Sequence, residues 1–455
     1  MTQPPQQTPR PSPSAGRADL VVLAVEAGLV AAAALVGAVL NQRGVRLHAD
    51  AAPLYASWHP HVGWGTPAAL LVAVAVVRWG PPLARRLGWR PLLAAGYAAA
   101  VAWTLALALV DGWSTGLARR LTPQAEYLWE VKRVTDIPAM LAGFTGRILD
   151  FQPDSWATHT AGHPPGALLV FVWLDRLGLG GGAAAALLCV LVGGTVAVSV
   201  PVTLRALGDE AAARAVLPFL VLLPGAVWVG ASADGIFAGV VAAGLALLAL
   251  PGRWAAVPAG LLLGFALYLS YGLVLVGPLA VVVLALRPGR AAGAVRTGLL
   301  AAAGVLAVVL AFTLAGFDWW TGYRLVAIRY DQGWAADRPY GYWVWANLAA
   351  LVCSAGPAAA PAVRRAVTQL RGARGATAWL RRGGPTAWLP LAAALAVLAA
   401  DASGFSKAEV ERIWLPFLVW LLVATARLPE SDRRRWLAAQ AVTALAVNHL
   451  LLTVS

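Results

Sequence analysis

Apolar blocks of about 16–22 residues, among them Leu20–Leu40, Pro91–Val110 and Ala183–Leu204, recur along the chain and constrain it more than any other feature. An α-helix needs about 20 such residues to cross some 30 Å of hydrocarbon, and inside lipid only helices and closed barrels satisfy their own backbone hydrogen bonds. The polar/apolar alternation of a membrane barrel is missing, so the spans are expected to be helical. Composition agrees. Of 455 residues, 60% are hydrophobic and 12% charged, against about 25% charged in a soluble globule. The expected fold is therefore an all-α polytopic membrane protein. Its spans fall near 20–40, 62–79, 91–110, 183–204, 214–230, 235–251, 254–270, 271–286, 297–316, 341–362, 386–401, 414–427 and 436–453, about 13 transmembrane helices. No cleavable secretory signal is visible, so the first span is expected to stay as an anchor. Cys189 and Cys353 lie far apart in apolar segments and support neither a disulfide framework nor a cysteine metal site.

The formal net charge is +14. With the amino terminus in the cytoplasm, most of the 35 lysines and arginines fall on the cytoplasmic side, against only five acids there: Asp19, Asp209, Glu210, Glu430 and Asp432. Most of the other acids fall outside, and Glu26 lies within the first span. The basic excess thus reads as membrane orientation, and nucleic acid is not expected as a partner. Parity depends on 164–174, which is apolar over too few residues to span and is read as re-entrant.

Residues 1–18 are rich in Pro, Gln, Ser and Thr and read as a disordered cytoplasmic tail. Two transmembrane helices in 19–90 precede a module at 91–427, and a last helix occupies 428–455. Within the large external stretch Asp111–His163, the pieces Gln124–Val134 and Pro138–Leu149 have apolar residues at helical spacing, the pattern of amphipathic helices lying in the membrane interface. A second external stretch, Phe317–Tyr340, is rich in Trp and Tyr, which suit either the headgroup level or stacking on a sugar or lipid.

Acids, histidines and aromatics gather on the external side, so a site is expected there. Asp111 ends the third span, and in a helix Glu126 and Glu130 would share one face. A carboxylate desolvated at the membrane boundary suits a general base, while a solvated helix face would explain the same residues without chemistry. In Trp156–Gly166, His159 and His163 precede Pro164-Pro165, which fixes the backbone and opens a short helix whose free N–H groups attract phosphate. Simple helix capping is the plainer alternative, and the spacing does not fit a zinc motif. Asp234 sits in a short turn between spans, where it needs a partner, water or an N-cap role for itself or Ser232. In Ser403–Phe417, Lys407, Glu409, Glu411 and Arg412 cluster at an external helix entrance, as an ion-pair network or as a clamp on lipid phosphate.

The acid-terminated span, the long external loop, His163-Pro-Pro-Gly166, the Asp234 turn and Glu411-Arg-Ile-Trp-Leu-Pro416 together resemble membrane glycosyltransferases of the GT-C superfamily. The likeness is to their actinobacterial mannosyltransferase- and arabinosyltransferase-like members, as an ordering of features over 91–427. The resemblance implies many transmembrane helices with a re-entrant segment and interfacial helices in a large external loop. It also implies transfer of a sugar from a polyprenyl-phosphate donor, at the outer face of a bacterial plasma membrane, to a cell-envelope glycan, lipid or protein acceptor.

On this resemblance the base is one of Asp111, Glu126 or Glu130, with Asp50 of the first external loop as a rival, because the family's adjacent pair of acids is missing. His159, His163, Lys407 and Arg412 become candidates for the donor phosphate, and Asp234, Tyr271, Glu409, Glu411 and Trp414 for substrate. Some relatives use a divalent cation, and no metal ligand is assigned here. A transporter or flippase of lipid-linked sugar is the alternative, for which Glu26 is the main intramembrane acid. A non-catalytic scaffold is the third.

Overall fold

The computed structural model describes residues 13–371 and 375–453. The chain is nearly all helical, and the one sheet among the described residues pairs Ala56–Trp58 antiparallel with Leu451–Thr453. Helices start where local chemistry favours it. Asp136, Asp209 and Asp318 cap helices by accepting from Ala139, Ala212 and Thr321 N–H at 3.1, 2.9 and 2.6 Å. Pro occupies the first turn of the helices Thr66–Arg86, Pro165–Leu174, Gly277–Leu286 and Pro385–Ala402.

Among the described residues six helices are long and apolar enough to cross a membrane: Gly16–Gln42, Thr66–Arg86, Trp89–Ala108, Gly182–Ala206, Ala291–Leu314 and Pro385–Ala402. A seventh arises if Tyr340–Ala355 and Ala359–Leu370, bent by 100°, form one span. The chain is thus membrane-embedded and multi-pass, but on length and composition it shows fewer spans than the thirteen expected. Much of the difference lies in shorter apolar helices such as Asp234–Ala249 and Ala256–Leu269, 16 and 14 residues long. At 1.5 Å per residue they reach only about 21–24 Å. The re-entrant candidate is a ten-residue helix, Pro165–Leu174, most of it buried in protein.

Other expectations change. The first helix begins at Pro13, so it takes in 13–18, expected as tail, while residues 1–12 lie outside the described residues. The interfacial pieces shrink to Tyr127–Val131 and Ile137–Gly143, the second stopping at Gly143, a weak helix former. Their apolar side chains Tyr127, Val131, Met140, Leu141 and Phe144 join the protein core. Phe317–Tyr340, expected as a loop, contains the helix Trp319–Gln332, on which Trp319, Trp320 and Tyr323 stack. Both cysteines are free and buried.

Ion pairs among the described residues form two separate sets. Asp19 pairs with Arg364 and Arg365, Arg85 with Glu430, Glu210 with Arg205 and Arg214, and Asp432 with Arg435. The others join residues of the segments expected outside, and none links the two sets.

The Ala256–Leu269 and Ala291–Leu314 helices meet through glycines. A Cβ on Gly260 would lie 2.0 Å from the Ala301 carbonyl oxygen, and one on Gly304 2.5 Å from that of Val257. Gly260→Val is therefore expected to destabilise the protein by about 2 kcal/mol or more. Gly293→Val, whose Cβ meets nothing within 4 Å, should change stability by less than about 0.5 kcal/mol. Thermal unfolding of the two purified variants in one detergent checks the contrast.

Candidate functional site

Five candidate residues converge on one buried ionic network. Arg412, in the short helix Val410–Ile413, gives Nη1 to Asp234 Oδ2 at 2.8 Å and Nη2 to Glu409 Oε2 at 2.5 Å. The same Nη2 lies 3.4 Å from His159 Nε2, and His159 Nδ1 lies 2.8 Å from Glu126 Oε1. The network joins segments around 126, 159, 234 and 409–412. Burial by itself lowers the Arg412 pKa, but Glu409, Asp234 and Glu126 together raise it above the ordinary arginine value. Burial likewise pulls on His159, and the adjoining Glu126 carboxylate outweighs it to give a net rise.

Glu126 and Glu130 do not act as a pair. Glu126 precedes the first turn of its helix with extended backbone, so the two carboxylates diverge. Glu130 instead meets Arg133 at 3.2 Å and Arg147 at 3.8 Å and accepts the Ala157 amide at 2.9 Å. Arg147 stacks 3.4 Å over Trp156, so Glu130 fastens the loop leading to His159. Asp111 is similarly engaged: Oδ1 lies 2.7 Å from His61 Nε2 and Oδ2 3.0 Å from Arg120 Nη2. Arg120 Nη1 donates to Thr453 O at 2.5 Å, tying this clasp to the carboxyl-terminal strand. Asp234 lies in the first turn of Asp234–Ala249 but spends its side chain on Arg412, while Ser232 Oγ donates to Trp228 O.

His163 Nδ1 faces His159 O at 2.8 Å, and burial lowers its pKa to about 4, so it is neutral near pH 7. Glu411 accepts the Tyr55 amide at 2.8 Å on Oε1, while its buried Oε2 has no hydrogen-bond partner among the described residues. Burial pushes its pKa up to about 7, within the range of a general base. Lys407 lies 5.5 Å over the Tyr330 ring and forms no ion pair among the described residues. Asp50 is exposed, with no side-chain hydrogen bond or ion pair there. Trp414 is wholly buried in the core, and Tyr271 packs against Trp319 and Tyr323.

Arg338, which no sequence signal singles out, completes the network. Its Nη1 reaches Glu409 Oε1 at 3.3 Å and Lys407 O at 2.7 Å, and its Nη2 reaches His48 O at 3.4 Å. His48, Ala408 and Glu409 all have positive φ, of 49, 68 and 62°, a strained region for residues with a side chain. Arg338 thus braces two strained turns at once. With Arg412 it holds Glu409 at a pKa of about 2 despite burial, which acts the other way. His61, Arg120 and His449 were also missed, although His59-Pro-His61 is visible in the sequence. Among the described residues no three His, Cys, Asp or Glu side chains gather as a metal site.

No protein-family model matches the chain, and no curated protein matches it significantly.

The Glu411 pKa of about 7 exceeds its ordinary 4.5, so the folded protein holds this proton more tightly than the unfolded chain. Its cost to stability therefore grows as pH rises from 4.5 and levels off above 7. Glu411→Gln should unfold at a higher temperature than the parent at pH 8 and close to it at pH 5. Glu409 has the opposite sign, and its contribution is lost as pH falls from 4.5 toward 2. Asp111→Asn should destabilise by about 1–2 kcal/mol, because the half-buried Arg120 and His61 lose a charged partner. Thermal unfolding across pH measures each effect.

Proposed function

We propose that the protein is a GT-C-like membrane glycosyltransferase. It moves a sugar from a polyprenyl-phosphate donor to a cell-envelope glycan, lipid or protein acceptor, at the extracytoplasmic face of a bacterial plasma membrane. The observation that carries this reading is the buried network centred on Arg412, which meets Asp234, Glu409 and His159 directly and Glu126 through His159, drawn from four separated segments of the bundle. The two unmixed sets of ion pairs fit the expected orientation, in which the site-bearing set lies outside.

In this mechanism a carboxylate takes the acceptor hydroxyl proton while that oxygen attacks the anomeric carbon. The bond from that carbon to the phosphate oxygen breaks, and polyprenyl phosphate departs. Both oxygens of Asp111 are engaged, and Glu130 is enclosed by two arginines and an amide. Glu126 is held by His159, and Asp50, exposed and without an ion pair among the described residues in the loop whose Tyr55 amide Glu411 accepts, is taken as the base. Arg412 is engaged by carboxylates, so Lys407, which forms no ion pair among the described residues and has Asp331 only at longer range, is the first cation for the donor phosphate.

Transport of intact lipid-linked sugar is the second reading, favoured by Glu26, which is buried in the first helix with an unpartnered oxygen. Membranes containing the protein and a radiolabelled polyprenyl-phosphate sugar distinguish the two. Asp50→Asn is expected to cut transfer about 100-fold or more while leaving the unfolding temperature near that of the parent. Full transfer by Asp50→Asn removes it as the base, and passage of intact donor across liposomes without transfer favours transport.

A further inference from the structure

The end of the bundle opposite the ionic network holds a cavity of about 490 Å³ lined by residues of the Thr66–Arg86, Glu210–Val221 and Arg433–Leu450 helices and by Arg427. Four arginines line it: Arg85, Arg214, Arg427 and Arg433. Two have acid partners, since Arg85 pairs with Glu430 and Arg214 with Glu210. The other two form no ion pair among the described residues. Arg427 donates Nε to Thr386 O at 3.2 Å and Nη2 to Gly383 O, and Arg433 donates Nη2 to Ala426 O at 2.9 Å. Arg433 Nε is buried with no hydrogen-bond partner among the described residues.

Carbonyl oxygens satisfy guanidinium donors but do not neutralise the charge. The lining holds two acids against four arginines: Asp209 caps a helix by accepting the Ala212 amide at 2.9 Å and Glu430 pairs with Arg85, and both also act at longer range on Arg427 and Arg433. The 18-residue helix Arg433–Leu450 begins at this cavity, and no side chain caps its amino terminus, so its dipole adds to the field of the arginines. Pro81, Pro218, Phe219 and Leu437 supply apolar walls that weaken solvent screening. The volume suits a phosphate ester rather than a bare ion.

We propose that this cavity binds a phosphate-bearing anion, with Arg433 and Arg427 as its counter-charges and Arg85 at the mouth. The phosphate group comes either from the headgroup of an anionic phospholipid or from a soluble phosphate. This assignment is independent of the transferase reading, because none of these residues belongs to the ionic network.

The test titrates the full-length protein in detergent with phosphatidylglycerol, with phosphatidylcholine or with inorganic phosphate, and reads the unfolding temperature. Phosphatidylglycerol is expected to raise it saturably, with an apparent affinity at least ten times weaker in Arg433→Gln. The same affinity should be unchanged in Arg435→Gln, which alters an exposed cation of the same helix. Saturable, Arg433-dependent binding of inorganic phosphate also supports the site and assigns the soluble source. If Arg433→Gln fails to fold, Arg85→Gln decides, weaker binding supporting the site and unchanged binding overturning it. No response to either phosphate source, or equal weakening by Arg435→Gln, overturns the proposal.

Discussion

One buried guanidinium organises the acid-rich end of this protein. Arg412 cannot shed its charge, and in a dry interior an unpaired arginine is prohibitively costly. Its partners Asp234 and Glu409 therefore have to reach it, with His159 and Glu126 behind them. Each belongs to a different stretch of chain or a different turn, so satisfying one ion sets the relative positions of several segments. Such a network is vulnerable to loss of any one member, because the remaining charges stay buried.

Strain accompanies that network. Ala408 and Glu409 have left-handed backbone immediately before the Arg412 helix, and His48 has it across the way. Arg338 bonds to the carbonyls of His48 and Lys407 and to the Glu409 carboxylate. These bonds restrain turns that would otherwise relax. The result is a pre-organised polar centre, with Glu411 held neutral or charged according to pH and Lys407 left without an ion pair among the described residues.

Segregation of charge is the second organising principle. No ion pair among the described residues mixes the arginine-rich loops with the acid-rich ones, although several pairs join residues more than 300 positions apart, such as Asp19 with Arg364. An apolar bundle offers no path by which hydrated groups could meet across it. Sorting by side therefore survives folding, and the pairs within each set clamp the helix ends.

The sequence alone determined the helical class, the apolar blocks, the Pro165 helix start and the gathering of acids and histidines in particular loops. These follow from local rules: hydrophobic runs and proline geometry. It could not determine which acid meets which base. Glu126 and Glu130, four apart and expected on one face, diverge because their helix is too short to include the first. Arg338 carries no local pattern, and its role exists only because His48, Lys407 and Glu409 are folded around it. Partner choice among buried charges was left to tertiary structure, since desolvation makes each pairing depend on every segment that packs nearby.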